Sequence, residues 1–256
     1  MQHAFQALAL DDQRAPFHPS IWKVSKTKNP SLDLQQTWFP GVHINIGGGS
    51  DTASSGEADP QEQLASITYT WMLDRIHPHL AFDEEELRAQ QVNWVAAMQP
   101  LTTAQIKATH EQLPIPQKIF HWWGGEKHAY GYAMPEIPDN FSEVYKILGV
   151  PTDRIPLNLT EEDLKAGKYT NESVHFSVDV RRKGSAKEDR EKEYVPQALK
   201  GWERRLSTKV KGGYEWYKPA VHGGERAKVM PESPPQASGL PEEDSLEVWL
   251  WKKGQA

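Results

Sequence analysis

The sequence predicts an α/β fold, and three stretches carry that prediction. Residues 32–38 (LDLQQTW) place Leu32, Leu34, Gln36 and Trp38 on one face and Asp33, Gln35 and Thr37 on the other, the period-two signature of a strand. Asp59-Pro60-Gln61-Glu62 reads as a helix start: Asp59 can cap, Pro60 fits the first helical position, and Glu62 sits where an acid reaches back. Leu64, Ile67, Trp71 and Met72 then recur at helical spacing up to Ile76. A second amphipathic helix is expected from Asp83 to Met98, with four acids, Asp83 to Glu86, at its electropositive N-terminus.

Taken in chain order, residues 3–10 (HAFQALAL), rich in Ala and Leu, read as a helical phrase that ends at the acidic pair Asp11-Asp12. It starts abruptly, so the natural beginning of the fold is expected upstream of Met1. After the strand at 32–38 the chain passes Pro40 and Gly41, delivers His43, and runs into Gly47, Gly48 and Gly49 before the loop SDTASSGEA. Beyond Pro100, proline recurs at 114, 116, 135, 138, 151 and 156 between aromatic clusters, which predicts an irregular Pro/Trp-rich region wrapped on the core. The domain is expected over 1–180, with a charged mobile insertion at 181–193 and an ill-defined extension over 194–256 containing a linker at 230–244. The closing LEVWLW fits a strand or a docked helix equally well.

Composition narrows function. With 256 residues, 29 Lys and Arg against 35 Asp and Glu, and a net charge of −6, the chain is large enough for a substantial core and poorly suited to a nucleic-acid backbone. The absence of cysteine removes thiolate nucleophiles, disulfides and sulfur-based zinc sites, and is most easily squared with a cytoplasmic protein. Neither a signal peptide nor a membrane-spanning run is recognisable.

His43 is the leading candidate for chemistry. A histidine beside apolar residues is more often a hydrogen-bonded core group than a catalyst. The order strand, histidine, glycine-rich loop, amphipathic helix is nevertheless the placement a general base needs when it must reach a serine on a neighbouring strand's elbow. The glycines fit neither a Gly-Lys-Ser/Thr phosphate loop nor the dinucleotide fingerprint, and backbone freedom behind an active-site residue is the simpler account. His77-Pro-His79 lacks a third ligand, so no metal site is predicted, and no cofactor is called for. His121, Trp122, Trp123 and His128 could line an acyl-chain groove, although ten tryptophans mostly mean packing. Asp33 lies in the strand pattern with nothing aiming it at His43.

The phrase Trp38-Phe39-Pro40-Gly41-Val42-His43 with Gly47-Gly48-Gly49, together with HAFQALALDD upstream and LASITYTWMLDR downstream, resembles the alpha/beta-hydrolase family that contains the catalytic domain of type VI secretion phospholipase effectors. This family includes many fungal proteins and was long catalogued as a domain of unknown function. The resemblance covers about residues 2–76, with an echo in TNESVHFSV at 170–178. It implies a partial alpha/beta-hydrolase fold, late sheet strands plus helices, and a Ser-Asp-His triad acting on a lipid or carboxylic ester, with His43 as base and Gly41, Asn45, Gly47, Gly48 and Gly49 as its supporting loop.

In the family, nucleophile and aspartate precede the HAFQALALDD-like segment, and Ser50, Ser54, Ser55, Ser185 and Ser238 all lack the G-x-S-x-G frame. The chain is therefore expected to keep the base, lack serine and acid, and be inactive alone. Pairing with a missing N-terminal half, or self-association through an exposed sheet edge, follows as an expectation. Two further departures are Asn45, where relatives commonly have aspartate, and Ser50, where they have an aromatic. A non-catalytic binding protein on a hydrolase scaffold, and a gene-model fragment of a longer active enzyme, are the alternatives.

Overall fold

A computed structural model describes residues 2–49, 60–83, 85–90, 92, 132–135, 137–138, 151–188, 193–220, 226–234 and 245–254. The described residues include eight strands in two sheets. The strands are β1 (His3–Ala9), β2 (Val24–Ser25), β3 (Asp33–Phe39), β4 (Lys168–Tyr169), β5 (Glu172–His175), β6 (Glu203–Leu206), β7 (Tyr214–Lys218) and β8 (Lys228–Ser233). Six of them form one sheet in the order β1-β3-β5-β8-β7-β6, and β2 pairs with β4 in a separate antiparallel ribbon. β1, β3, β5 and β8 run parallel, whereas β7 and β6 extend the sheet antiparallel. The helices are α1 (His43–Gly47), α2 (Pro60–Ile76), α3 (Glu161–Lys165), α4 (Ser177–Glu188) and α5 (Leu246–Gly254).

Residues 3–9 form a strand rather than the expected helix. β1 pairs residue for residue with β3, from His3 opposite Asp33 to Ala9 opposite Phe39. Leu8 packs into one cluster while Phe5 and Ala7 pack against another. Partners on both faces override the helical preference of Ala and Leu.

β3 forms where its alternation predicts, but it is not two-faced. Gln36, Thr37, Trp38 and Phe39 are all buried. Trp38 enters a cluster with Leu8, Val174, Leu199 and Met230, while Phe39, its neighbour on the opposite face, joins Leu64, Ile67, Trp71 and Leu250. A parallel sheet covered on both sides buries such polar positions and must satisfy them. The Trp38 indole donates to Glu172 Oε2 at 2.8 Å, Thr37 Oγ1 and Ser173 Oγ lie 2.9 Å apart, and Gln36 donates to the Thr170 carbonyl.

α2 begins at Pro60 and ends at Ile76 as the sequence predicts, and Leu64, Ile67 and Trp71 are buried. Of the expected helix over 83–98, residues 85–90 and 92 are helical, Asp83 stands just before them with its Oδ1 accepting the Glu85 and Glu86 N–H groups at 3.1 Å, and the other positions lie outside the described residues. Residues 181–188, read from sequence as the start of an insertion, instead continue α4, where Arg182 and Lys183 pair with Asp179 at 2.8 Å and 2.7 Å. The first part of the expected linker, 230–233, is β8, a sheet strand whose Met230 is fully buried. Residues 246–254 resolve the LEVWLW ambiguity as helix α5. The apolar phrase around 121–128 lies outside the described residues.

Candidate active site

The parallel strands β1 and β3 stop side by side, and their exits are zipped together. Leu10 N–H donates to the Phe39 carbonyl and Asp11 N–H to the Gly41 carbonyl, each at 3.0 Å. Asp11 Oδ2 in turn accepts the Gly41 N–H at 2.6 Å and the Tyr194 hydroxyl at 2.6 Å. Burial pushes the Asp11 carboxyl above its ordinary value against these donors. The next residues along the two exits, Asp12 and His43, meet as a result.

His43 Nδ1 lies 2.7 Å from Asp12 Oδ2, with the imidazole 44% exposed and the carboxylate only 1% exposed. Burial would raise the Asp12 pKa, but hydrogen bonds from Arg14 and His43 and the Arg14 charge outweigh it, so the group sits below its ordinary value and is an anion. An anionic acceptor assigns the proton to His43 Nδ1, leaving Nε2 as the basic nitrogen. Arg14 Nη2 stands 2.8 Å from the same Nδ1 and 3.4 Å from Asp12 Oδ2. With Nδ1 already a donor, the guanidinium serves the carboxylate and flanks the ring. The Phe17 ring stacks on His43 at 4.3 Å and the Arg14 guanidinium lies 4.1 Å from the Phe17 ring centre. Buried Arg154 brings a second cation, 3.7 Å from Asp12 Oδ1, and donates to the Phe17 carbonyl at 2.7 Å.

The supporting loop is more ordered than a glycine-rich loop. His43 opens the short helix α1, and Gly47 closes it. Gly41 has φ of +117°, and a Cβ there would stand 2.6 Å from Asn45 Cβ, so this position requires glycine. Asn45 is fully buried, and its Oδ1 accepts the Val42 N–H at 3.0 Å, half of a capping box. An amide does this without a buried charge, which gives Asn45 a structural role beneath the histidine. Gly48 and Gly49, at φ of +71° and +87°, end the helix in left-handed backbone.

The sequence reading sought the acid outside the chain; the carboxylate that meets His43 Nδ1, at 2.7 Å, is Asp12, noticed in the sequence only as the end of HAFQALALDD. Two adjacent parallel strands ending in Asp and His phrases would have given the signal, and reading the first as a helix hid it. Asp33 lies at the other end of β3, engaged by Gln35. His77 and His79 go to different neighbours, His77 to Phe82 and His79 to His3. Among the described residues no group of three or more acidic or imidazole side chains could hold a metal, and no helix is long and apolar enough to cross a membrane. No hydroxyl among the described residues hydrogen-bonds His43, and Ser50, Ser54, Ser55 and Ser238 lie outside them.

A second histidine also meets a carboxylate. His175, at the end of β5, has Nε2 2.7 Å from Glu247 Oε1 and Nδ1 2.7 Å from Ser177 Oγ, and Arg75 donates to Glu247 Oε2 at 2.9 Å. All the residue types of a Ser-His-acid triad are present. His175, Ser177 and Glu247 are completely buried, however, so no substrate reaches them. Desolvation pushes Glu247 up to about 8 and holds His175 well below its ordinary value. This is a buried strut joining β5, α2 and α5.

No curated protein and no solved structure matches the chain. Residues 1–75 match the model of the family described as "T6SS, Phospholipase effector Tle1-like, catalytic domain". Over β1, β3, α1 and nearly all of α2, this chain is therefore similar to the catalytic domain of those phospholipase effectors.

Proposed function

We propose that the Asp12–His43 pair is the base half of a serine-hydrolase site for lipid or carboxylic esters, and that the serine comes from a segment beyond these residues. The observation carrying the reading is the 2.7 Å contact between a buried carboxylate and a solvent-open imidazole, set at the ends of adjacent parallel strands. In this mechanism His43 Nε2 takes the proton of an incoming serine hydroxyl as the oxygen attacks the ester carbonyl. It returns that proton to the leaving alkoxide, then activates water for the second half-reaction. Asp12 holds the ring in the Nδ1–H tautomer and stabilises the imidazolium. The partner segment has a place to join: among the described residues β1 is the terminal strand of the sheet, with β3 its sheet neighbour. A strand added at that edge would put an elbow next to the Asp12 and His43 exits.

The 256-residue chain alone is expected to show no His43-dependent turnover of short-chain esters or phospholipid. A chain extended by the coding sequence upstream of Met1, if it supplies a G-x-S-x-G elbow, gains turnover that His43→Ala and Asp12→Asn each reduce by about a thousandfold or more. Turnover by the chain alone that His43→Ala abolishes would show that the machinery is complete without that segment. An extended chain whose turnover ignores both substitutions would sink the assignment and favour a binding role for the scaffold.

A further inference from the structure

Between Asp12 and Asp33 there is no acidic residue, although the chain as a whole carries a net charge of −6. This interval holds Arg14, Lys23, Lys26 and Lys28, and the backbone fixes it as one surface. At its start, Phe17 stacks on His43. At its middle, the Trp22 N–H donates to Gln36 Oε1 at 2.7 Å and the Trp22 carbonyl accepts from Gln36 Nε2 at 3.0 Å, which pins the segment to β3. Its last part, β2, pairs with β4 and so comes beside Lys168. Asp163 joins the two sides, accepting from Lys23 at 2.7 Å and from Lys168 at 2.9 Å.

Lys23, Lys28 and Lys168 line an open depression of about 370 Å³. Lys26 and Lys28 are exposed, and Lys26 lies 5.1 Å from the centre of the Tyr169 ring. The nearby acids among the described residues include Asp163, already shared by two lysines, Glu161 and Glu162 on α3, of which Glu161 meets Lys165 at 3.8 Å, and Asp153, two residues before Ile155. Large apolar side chains are exposed next to these groups: Phe17 and Trp22, in the interval itself, are each 41% exposed, Leu164, which follows Asp163, is 42% exposed, and Ile155, which follows the Arg154 that donates to the Phe17 carbonyl, is 51% exposed. Cations interspersed with an aromatic and aliphatic rim match an anionic bilayer, whose headgroups attract lysine and whose interface accepts indole and phenyl rings. A nucleic-acid backbone would use the cations and leave the Ile155 and Leu164 surfaces without a partner.

We propose that residues 14–28 with the β2–β4 ribbon form a docking face for an anionic lipid surface, Lys26 and Lys28 supplying charge and Trp22 and Phe17 entering the interface. Because Phe17 also covers His43, docking sets the Asp12–His43 pair at the bilayer. The proposal rests on the lipid-ester reading for the choice of partner, but its test does not require hydrolysis.

The test is flotation of the full chain with vesicles of equal parts phosphatidylserine and phosphatidylcholine, against vesicles of phosphatidylcholine alone. Binding to the anionic vesicles alone, lost in molar salt, is the expected result. Lys26→Glu with Lys28→Glu should weaken it by about thirtyfold or more, taking about fivefold per lysine near an anionic surface. Trp22→Ala should weaken binding while leaving its salt dependence. Lys209→Glu with Lys211→Glu, a charge-matched pair in the exposed turn between β6 and β7, should change nothing.

Equal binding to both vesicle types overturns the proposal, as does equal loss in the two charge-reversed pairs. Displacement of the vesicles by inorganic phosphate or by a DNA duplex at matched ionic strength overturns it too, assigning the face to a small anion or to nucleic acid. Anionic-vesicle binding by the full chain, with no ester turnover in any extended form that keeps His43, would leave the docking face standing and remove the hydrolase reading. Turnover of soluble esters with no vesicle binding would do the reverse.

Discussion

Two histidines in this molecule each stand 2.7 Å from a carboxylate, and they differ in almost everything that decides chemistry. His43 is 44% exposed and its partner Asp12 is an anion held below its ordinary pKa by Arg14 and His43 against the pull of burial. His175 and Glu247 are sealed, and desolvation moves each toward its neutral form. Both rings stack on a phenylalanine, His43 on Phe17 at 4.3 Å and His175 on Phe39 at 4.4 Å. One ring is exposed beside a cation cluster at the strand ends; the other is a core side chain with polar ends. Residue type and distance alone make a triad look present at both. Access and charge state separate the candidate site from the strut.

The comparison breaks most visibly at Glu247. Glu247→Ala strips Arg75, itself 1% exposed, of its buried hydrogen-bond acceptor and leaves His175 Nε2 without a partner. Removing one member of a buried pair costs about 3–5 kcal/mol. A fall of that size in chemical denaturation is expected, and a change below about 1 kcal/mol would mean that water already reaches this cluster. Next in size is Gly41→Ala. The positive φ and the 2.6 Å approach to Asn45 Cβ together put the cost at about 1–3 kcal/mol. The same change should disturb the Nδ1 proton resonance of His43, because Gly41 aligns the β3 exit with that of β1. An unchanged resonance would show that the two exits are held without it.

Protonation sharpens the contrast further. Glu247 has a folded pKa of about 8 against an ordinary 4.5, so its contribution to stability is full below about 4.5 and is lost as pH rises through about 8. His175 acts in the opposite sense, since the unfolded chain takes up a proton below about 6.5 that the buried ring refuses. Above 6.5 that opposing effect is spent. Between pH 6.5 and 8 stability should decline by up to about 1.4 kcal/mol per unit from Glu247. Raised Asp11 and Asp74 act in the same direction, so the test is the difference from Glu247→Gln, which should flatten the slope. An identical slope in the variant would place the titration elsewhere.

How much of this was readable beforehand follows the same division. The strand at 33–39, the helix ending at Ile76 and the histidine past the strand were legible because alternation, capping residues and glycine positions are local signals. The strand at 3–9 was not. An Ala- and Leu-rich phrase becomes a strand only because β3 lies beside it, and that pairing joins residues about thirty positions apart. With β1 misread, Asp12 had no reason to be near His43, and the acid was sought elsewhere. His175, Ser177 and Glu247 were invisible as a group for a similar reason: Glu247 approaches from α5, seventy-two residues along the chain. Asn45 was legible as a departure from relatives, but its buried bond to Val42 was not.

The smallest effect discriminates the two rings most directly. Phe17 is 41% exposed and stacks on a partly exposed imidazole, so Phe17→Ala removes an aromatic contact worth about 0.5–1.5 kcal/mol and leaves no sealed cavity. Phe39 is 1% exposed and meets Trp71 edge-on at 5.4 Å as well as His175, so Phe39→Ala opens a core void costing about 3–5 kcal/mol. The two substitutions are expected to separate in denaturation midpoint and in side-chain dynamics. Phe17→Ala should loosen the His43 ring while the fold holds, since Asp12 still anchors Nδ1. Equal costs for the two would mean that Phe17 and His43 are packed as a core pair. A base held that tightly, with its outer face covered, could not turn toward a serine, and the functional assignment of His43 would fall with the stability measurement alone.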